Sequence, residues 1–244
     1  MTRTMLITGA SSGIGRATAD AALSKGWKVG LFARSRDALN EVASGGNALV
    51  LPGDVTKLPD LEAAVADLVK SWGRLDVLFN NAGIFTPPGT IDEISVDDWN
   101  RSVSVNLTGM FHAARMAFSQ MRRQDPQGGR IINNGSISAH VPRPGSIAYT
   151  ATKHAITGMT RSLSLDGRPF DIACGQIDIG NALTPMVQDF NDKALAGNPE
   201  AEIQPSMPVE SAANAVLQMA ELGLETNVQF MTIMATKMPY IGRG

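Results

Sequence analysis

Short apolar runs, each long enough for one strand, alternate with helix-sized amphipathic segments along most of this chain, and that alternation leaves few folds open. Thr4-Met5-Leu6-Ile7-Thr8 is apolar at its centre and closed by Gly9, the pattern of a strand buried on both faces. The spacing predicts strands over 4–8, 29–33, 48–52, 75–80, 130–134 and 170–174, with a last one near 232–234. Between them it predicts helices over 15–26, 36–44, 58–72, 97–124 and 148–166. Strands joined through helices pair in parallel, and right-handed crossovers then favour one arrangement: an α/β Rossmann-type doubly wound parallel sheet with helices on both faces. Neither a repeat nor a linker divides the chain, so 1–244 reads as a single domain. Residues 180–208 resist assignment. They hold Pro185, Pro199, Pro205 and Pro208 and are too long for an idle loop, so a substrate lid is expected there, with a surface excursion as the alternative.

Composition removes several classes. Lys plus Arg number 21 against 23 Asp plus Glu, a net charge of −2, which argues against a nucleic-acid partner. Cys174 is the only cysteine, which excludes an intramolecular disulfide and a cysteine-rich zinc site. His112, His140 and His154 are far apart in sequence, and no metal site is expected. No apolar stretch approaches the roughly 18 residues of a membrane span. With no signal-peptide pattern at the start, the expected location is cytoplasmic.

Thr8-Gly9-Ala10-Ser11-Ser12-Gly13-Ile14-Gly15 follows the first strand and opens the first helix. Gly9 permits a tight turn, Gly13 lets a phosphate approach the backbone, and Gly15 lets helix and strand pack closely. Exposed N–H groups and the helix dipole then favour a pyrophosphate, so Gly9, Ser11, Ser12, Gly13, Ile14 and Gly15 are the expected cofactor-binding residues of this turn. No Gly-Lys-Ser/Thr follows, so a nucleoside-triphosphate loop is excluded. The second strand ends in Ala33-Arg34-Ser35-Arg36, without the carboxylate that would bond the ribose hydroxyls of NAD. A guanidinium at Arg34 can pair with a ribose 2′-phosphate, which favours NADP, with NAD possible; solvated arginines at a helix start, with Asp37 nearby, are the alternative. Asp54-Val55, after the third strand, stand where an adenine would be gripped, or Asp54 caps the next helix.

Tyr149 and Lys153 lie four apart on a predicted helix and so share one face. An ammonium beside a phenol favours the phenolate and suits it to general acid–base work near neutral pH. Ser136 follows the fifth strand, in the loop Gly135-Ser136-Ile137-Ser138, where groups converge on the ligand crevice of an open sheet. The fourth strand ends in Asn80-Asn81-Ala82-Gly83, whose small residues let a cofactor lie against the backbone. Asn106 places an amide in an otherwise apolar helical turn, where something must bond it.

Taken together and in order, Thr8-Gly9-x-x-x-Gly13-Ile14-Gly15, Asp54, Asn80-Asn81-Ala82-Gly83, Asn106, Ser136 and Tyr149-x-x-x-Lys153 resemble the short-chain dehydrogenase/reductase family over about residues 4–175. The resemblance implies a nicotinamide cofactor and reversible hydride transfer between a small carbonyl compound and a secondary alcohol. It gives Tyr149 the proton transfer, Ser136 the substrate oxygen, Lys153 the nicotinamide ribose and a lowered phenol pKa, and Asn106 a water that passes protons onward. A cofactor-binding regulator without turnover is the alternative. The family also implies a homotetramer or dimer built on 97–124 and 148–166, and Ala113, Met116 and Ala117 are compatible with such a face. Two departures stand out: Cys174 occupies the usual proline of a Pro-Gly pair after the sixth strand, and Ile179 or Thr184 takes the place of a threonine that contacts the nicotinamide amide.

Overall fold

In the computed structural model, which describes residues 2–43, 45–198, 200 and 203–241, each predicted strand has a counterpart, although the fourth begins at Val77 rather than Leu75 and the sixth at Ile172 rather than Phe170. The strands are β1 (Thr4–Thr8), β2 (Lys28–Ala33), β3 (Ala48–Pro52), β4 (Val77–Asn80), β5 (Gly129–Asn134), β6 (Ile172–Gly180) and β7 (Phe230–Met234). The helices are α1 (Gly13–Ser24), α2 (Arg36–Val42), α3 (Leu58–Trp72), α4 (Val96–Val103), α5 (Met110–Arg123), α6 (Ile147–Gly167), α7 (Pro185–Gly197) and α8 (Val209–Glu221). All pairings are parallel and the order is β3-β2-β1-β4-β5-β6-β7. The order reverses between β1 and β4, which opens a crevice at the C-terminal ends of the strands.

Strands covered on both faces need apolar residues at successive positions, and β1 has them. Met5 and Ile7 enter a cluster with Ala19 and Ala22 of α1 and Val216 and Leu217 of α8. Leu6, between them, points the other way, among Leu61 and Leu68 of α3 and Ala113 and Ala117 of α5. All three strand residues have no exposed surface, so truncating Leu6 to alanine would cost about 2–5 kcal/mol. Ala113 and Ala117 therefore face the sheet and are not available to an interface between subunits.

Four segments differ from expectation. The sixth strand does not stop at Cys174 but runs on to Gly180, pairing Asn134 with Ile177 on one side and Gly180 with Met234 on the other. Gln176 and Asp178 look like strand-breaking polar residues in sequence, but each finds buried partners, so the ladder continues through them. Cys174 is thus a mid-strand residue, and Ile179-Gly180 is the pair at the strand end. The helix expected over 97–124 is α4 and α5 joined by a π-helical turn, Ser104–Gly109, centred on Asn106. Within 180–208 the chain forms α7, and its base is clamped by a bridge between Ala182 and Met207, with Leu183 N–H donating to the Met207 carbonyl at 2.9 Å. Pro199 lies outside the described residues. Finally, α8, rich in buried alanines, closes over α1. Among the described residues no helix is long and apolar enough to cross a membrane.

Candidate active site

The turn between β1 and α1 is built on left-handed backbone at Gly9 (φ 68°) and Gly13 (φ 55°), which a side chain would strain. The N–H of Gly9 donates to the Phe32 carbonyl at 2.8 Å, tying the turn to β2. A Cβ on Gly15 would run into the Gly9 carbonyl oxygen, so only glycine lets α1 start this close to β1. Ser12, at the helix N-cap, is exposed and its side chain accepts no cap hydrogen bond, which leaves the first N–H groups of α1 open to an anion. Ser11 and Ile14 are half-buried in the same turn. Beneath it, the Thr8 hydroxyl accepts from Asn81 N–H (2.9 Å) and Ala82 N–H (3.0 Å). The Asn81 amide donates to the Thr8 carbonyl at 2.9 Å and accepts from Asn134 Nδ2 at 2.9 Å. Asn81 is therefore a brace joining β1, β4 and β5 under the glycine turn, while Ala82 and half-buried Gly83 keep the floor beside it low. Thr184 reaches this turn: its Cγ2 lies 3.3 Å from where a Gly13 Cβ would be. Ile179 is buried in the core, so of the two candidates Thr184 is the one beside the cofactor turn.

At the far side, Arg34 follows β2 directly and is exposed, with no ion-pair partner among the described residues. Asp54 does not cap α3. Its Oδ1 accepts from Thr56 N–H (3.0 Å) and Thr56 Oγ1 (2.9 Å), a turn that ends before the helix starts. Burial pushes the Asp54 pKa up, but those two bonds, with the charges of Arg34 and Lys57, bring it below the ordinary carboxylate value. Val55 packs its side chain against Gly109, and its carbonyl is bonded to His112 Nδ1 at 3.1 Å, so its side chain belongs to the core.

At the centre, α6 carries Tyr149 and Lys153 on one face, and the ammonium sits 5.5 Å from the phenol ring centre. Lys153 is buried, and its Nζ donates to the Asn134 carbonyl at 2.7 Å. Burial lowers its pKa to about 8, against an opposing pull from the Asp178 carboxylate. Ser136, whose hydroxyl accepts from Ser138 N–H at 3.1 Å, lies close enough to Tyr149 to act on its phenol. Burial raises the phenol's pKa and Asp178 adds to the rise, while Ser136 and the charge of Arg143 oppose it. In the protein alone the phenol therefore lies above its ordinary value, not below it as the lysine spacing suggested. Asn106 is buried in the π-helical turn, where its Oδ1 accepts from Ile84 N–H (2.8 Å) and its Nδ2 donates to the Ile84 carbonyl (2.9 Å). Its amide thus staples the helix to the loop after β4.

Three neighbours were not legible as site residues. Phe85 lies against Tyr149, ring centres 4.4 Å apart, and forms one wall of the crevice. Asp178 sits under the Ser136 turn, and His140 bonds it at 2.8 Å. A single carboxylate inside the apolar run Ile177-Asp178-Ile179 was the available signal, since a buried charge requires partners. By contrast, His154 is exposed and bonded to its own helix, and Cys174 is buried with its thiol pushed up to about 12, which leaves it inert. Among the described residues no group of three His, Cys, Asp or Glu is placed to hold a metal ion.

The residues present fit a dinucleotide. The open helix N-terminus suits its pyrophosphate, the Gly9–Gly15 contact leaves the backbone accessible, and Asn134 Oδ1 beside Lys153 is a buried acceptor without a donor. A dinucleotide turn on a doubly wound sheet, with a hydroxyl, a phenol and an ammonium at the crevice, defines a nicotinamide-dependent oxidoreductase. The sequence pattern of the short chain dehydrogenase family matches residues 3–195. The chain is 31% identical over 218 residues to the 3beta-hydroxysteroid dehydrogenase of Mediterraneibacter gnavus, covering 87% of this chain and 78% of that protein. It is 32% identical to the D-beta-hydroxybutyrate dehydrogenase of Rhizobium meliloti, covering 90% and 92%. Among solved structures, the 3-ketoacyl-(acyl-carrier-protein) reductase of Brucella melitensis, complexed with NADH, superposes with a TM-score of 0.85 at 25% identity, covering 96% of this chain and 98% of that one. The chain belongs to the short-chain dehydrogenase/reductase family and is an NAD(P)-dependent oxidoreductase.

Proposed function

We propose that the protein interconverts a small carbonyl compound and its secondary alcohol with NADP(H), using Ser136, Tyr149 and Lys153. The observation that carries this reading is the buried Lys153 ammonium 5.5 Å from the Tyr149 ring centre, one helical turn along α6, with Ser136 close by. The nicotinamide, when bound, supplies or accepts the hydride. Ser136 holds the substrate oxygen and stabilises charge developing there, and Tyr149 gives or takes the proton at that oxygen. The raised phenol pKa suits it to the donor role in carbonyl reduction. Lys153 bonds the nicotinamide ribose. With its side-chain amide committed to Ile84, Asn106 contributes by holding the π-helical turn, and any water it orders rests on its remaining acceptor capacity. Gly9, Ser11, Ser12, Gly13, Ile14 and Gly15 cradle the pyrophosphate, with Asn81, Ala82 and Gly83 beneath. Asp54 keeps Oδ2 for the adenine, and Val55 closes that end by packing.

Arg34, exposed and free of an ion pair among the described residues, supports NADP over NAD. The NADH complex of the Brucella reductase makes NAD the competing reading. Residues 180–208 act as the substrate lid: the segment is clamped at its base by the Ala182–Met207 bridge, and exposed Leu183 and Met186 give the arm an apolar surface. The test is titration of NADPH and NADH into the parent and Arg34→Asp proteins, followed by a carbonyl panel monitored by cofactor absorbance. Arg34→Asp weakens NADPH by roughly ten-fold or more and leaves NADH little changed. Equal effects on both cofactors refute the 2′-phosphate role.

A further inference from the structure

Asp178 has no exposed surface, yet it is not an orphan. Its Oδ1 accepts from Ser136 N–H at 2.9 Å and from Gln176 Nε2 at 2.7 Å, and its Oδ2 meets His140 Nε2 at 2.8 Å. A carboxylate only accepts, so the proton of that last bond rides on His140 Nε2. Gly135 leaves the space these contacts need, since a Cβ there would collide with Oδ1. Gln176 in turn bonds Thr157 (3.0 Å) and Thr160 (3.1 Å) of α6, the helix that carries Tyr149 and Lys153. One carboxylate therefore links the Ser136 turn, the end of β6 and α6. His140, whose side chain is 39% exposed, closes the arrangement at its solvent edge.

We propose that Asp178, steered by His140, is a positioning residue of the hydride-transfer site: it fixes the Ser136 turn and provides the buried anion that balances Lys153. This rests on the reading of Ser136, Tyr149 and Lys153 given above. Lys153 is 2% exposed and its ammonium is bonded to a neutral carbonyl, so its charged form gains from a buried anion in the same site. Asp178 favours that charged form and opposes the phenolate at Tyr149, while Arg143 acts on Tyr149 in the opposite sense. The bond to His140 occupies the carboxylate oxygen that the Ser136 turn leaves unused, which holds the anion in one orientation.

Two measurements test this. In cofactor-free protein, an ultraviolet difference titration of phenolate absorbance, with Tyr149→Phe as the blank, isolates Tyr149 from Tyr240, the only other tyrosine. Asp178→Asn keeps the shape and removes the charge, and the Tyr149 midpoint falls by roughly one pH unit. A midpoint that stays or rises overturns the proposal. Should Asp178→Asn not fold, His140→Leu and His140→Gln test the same contact at its exposed edge. His140→Leu lowers kcat roughly ten-fold with KM and cofactor affinity near those of the parent, and His140→Gln, which keeps an N–H for Oδ2, recovers most of the loss. His140→Leu at the parent's rate, or His140→Gln as slow as His140→Leu, overturns it. Turnover by Tyr149→Phe at the parent's rate overturns this inference and the underlying site reading together, whereas an inactive Tyr149→Phe beside a fully active His140→Leu sinks the inference alone.

Discussion

A lysine buried among helices, with one carbonyl for company, holds its proton less firmly than one in water, and Lys153 loses half of its charge at about pH 8. The Tyr149 phenol moves the other way, above its ordinary value, and so stays protonated through that range. Carbonyl reduction needs both the phenol and the ammonium in their protonated forms. Its kcat/KM therefore falls as pH rises past about 8, and the limb belongs to Lys153. A pH–rate profile flat to well above the ordinary lysine value would place the limb on the phenol instead. Cys174 is a second residue-scale case. Burial pushes its thiol up to about 12, so the native protein resists alkylation at neutral pH and labels only after denaturation. Rapid labelling of folded protein would contradict that burial.

Elements were read from sequence with uneven success, for physical reasons. A continuous apolar run closed by glycine marks β1 at its observed limits, because a strand buried on both faces has no other way to look, while the run ending at Pro52 and the amphipathic stretch over 58–72 mark β3 and α3. The sixth strand looks shorter in sequence than it is because Gln176 and Asp178 interrupt its apolar run, and their partners come from α6 and the Ser136 turn, which lie outside any local window. For the same reason the sequence puts Cys174 at a strand end, where the structure has Ile179-Gly180. The π-helical turn is invisible to a 3.6-residue period, and α7 hides behind Pro185, which stands at its first position rather than inside it. Of the site, the glycine turn, Ser136, Tyr149 and Lys153 were legible because their spacing carries their chemistry, whereas Asp178, His140 and Phe85 meet only in three dimensions. The contact between β1 and α1 is the most sensitive of these junctions. Gly15→Ala drives a methyl group into the Gly9 carbonyl, which costs about 1–3 kcal/mol and weakens cofactor binding, read by thermal melting and fluorescence quenching. A mutant with the parent's melting temperature and affinity would show that the junction is looser than drawn.

At the level of the molecule, seven parallel strands place every reacting group at one edge, while the opposite ends of the strands carry none of them. The helices that frame this edge also present apolar side chains outward: Phe111 of α5 is 49% exposed and Leu165 of α6 is 60% exposed. These residues, rather than Ala113 and Ala117, are the ones available to a homodimer or tetramer. We propose that copies of the chain pair on this surface: Phe111→Glu then lowers the mass measured by analytical ultracentrifugation, and a parent protein that sediments as a monomer contradicts the proposal. The central claim concerns the chemistry at the crevice, and Tyr149→Phe tests it most directly, because it removes one oxygen and leaves Ser136, Lys153 and the glycine turn in place. The account predicts that NADPH still quenches the mutant's fluorescence with an affinity within a few-fold of the parent's, while turnover on every carbonyl the parent reduces is lost. Comparable turnover by mutant and parent would contradict it.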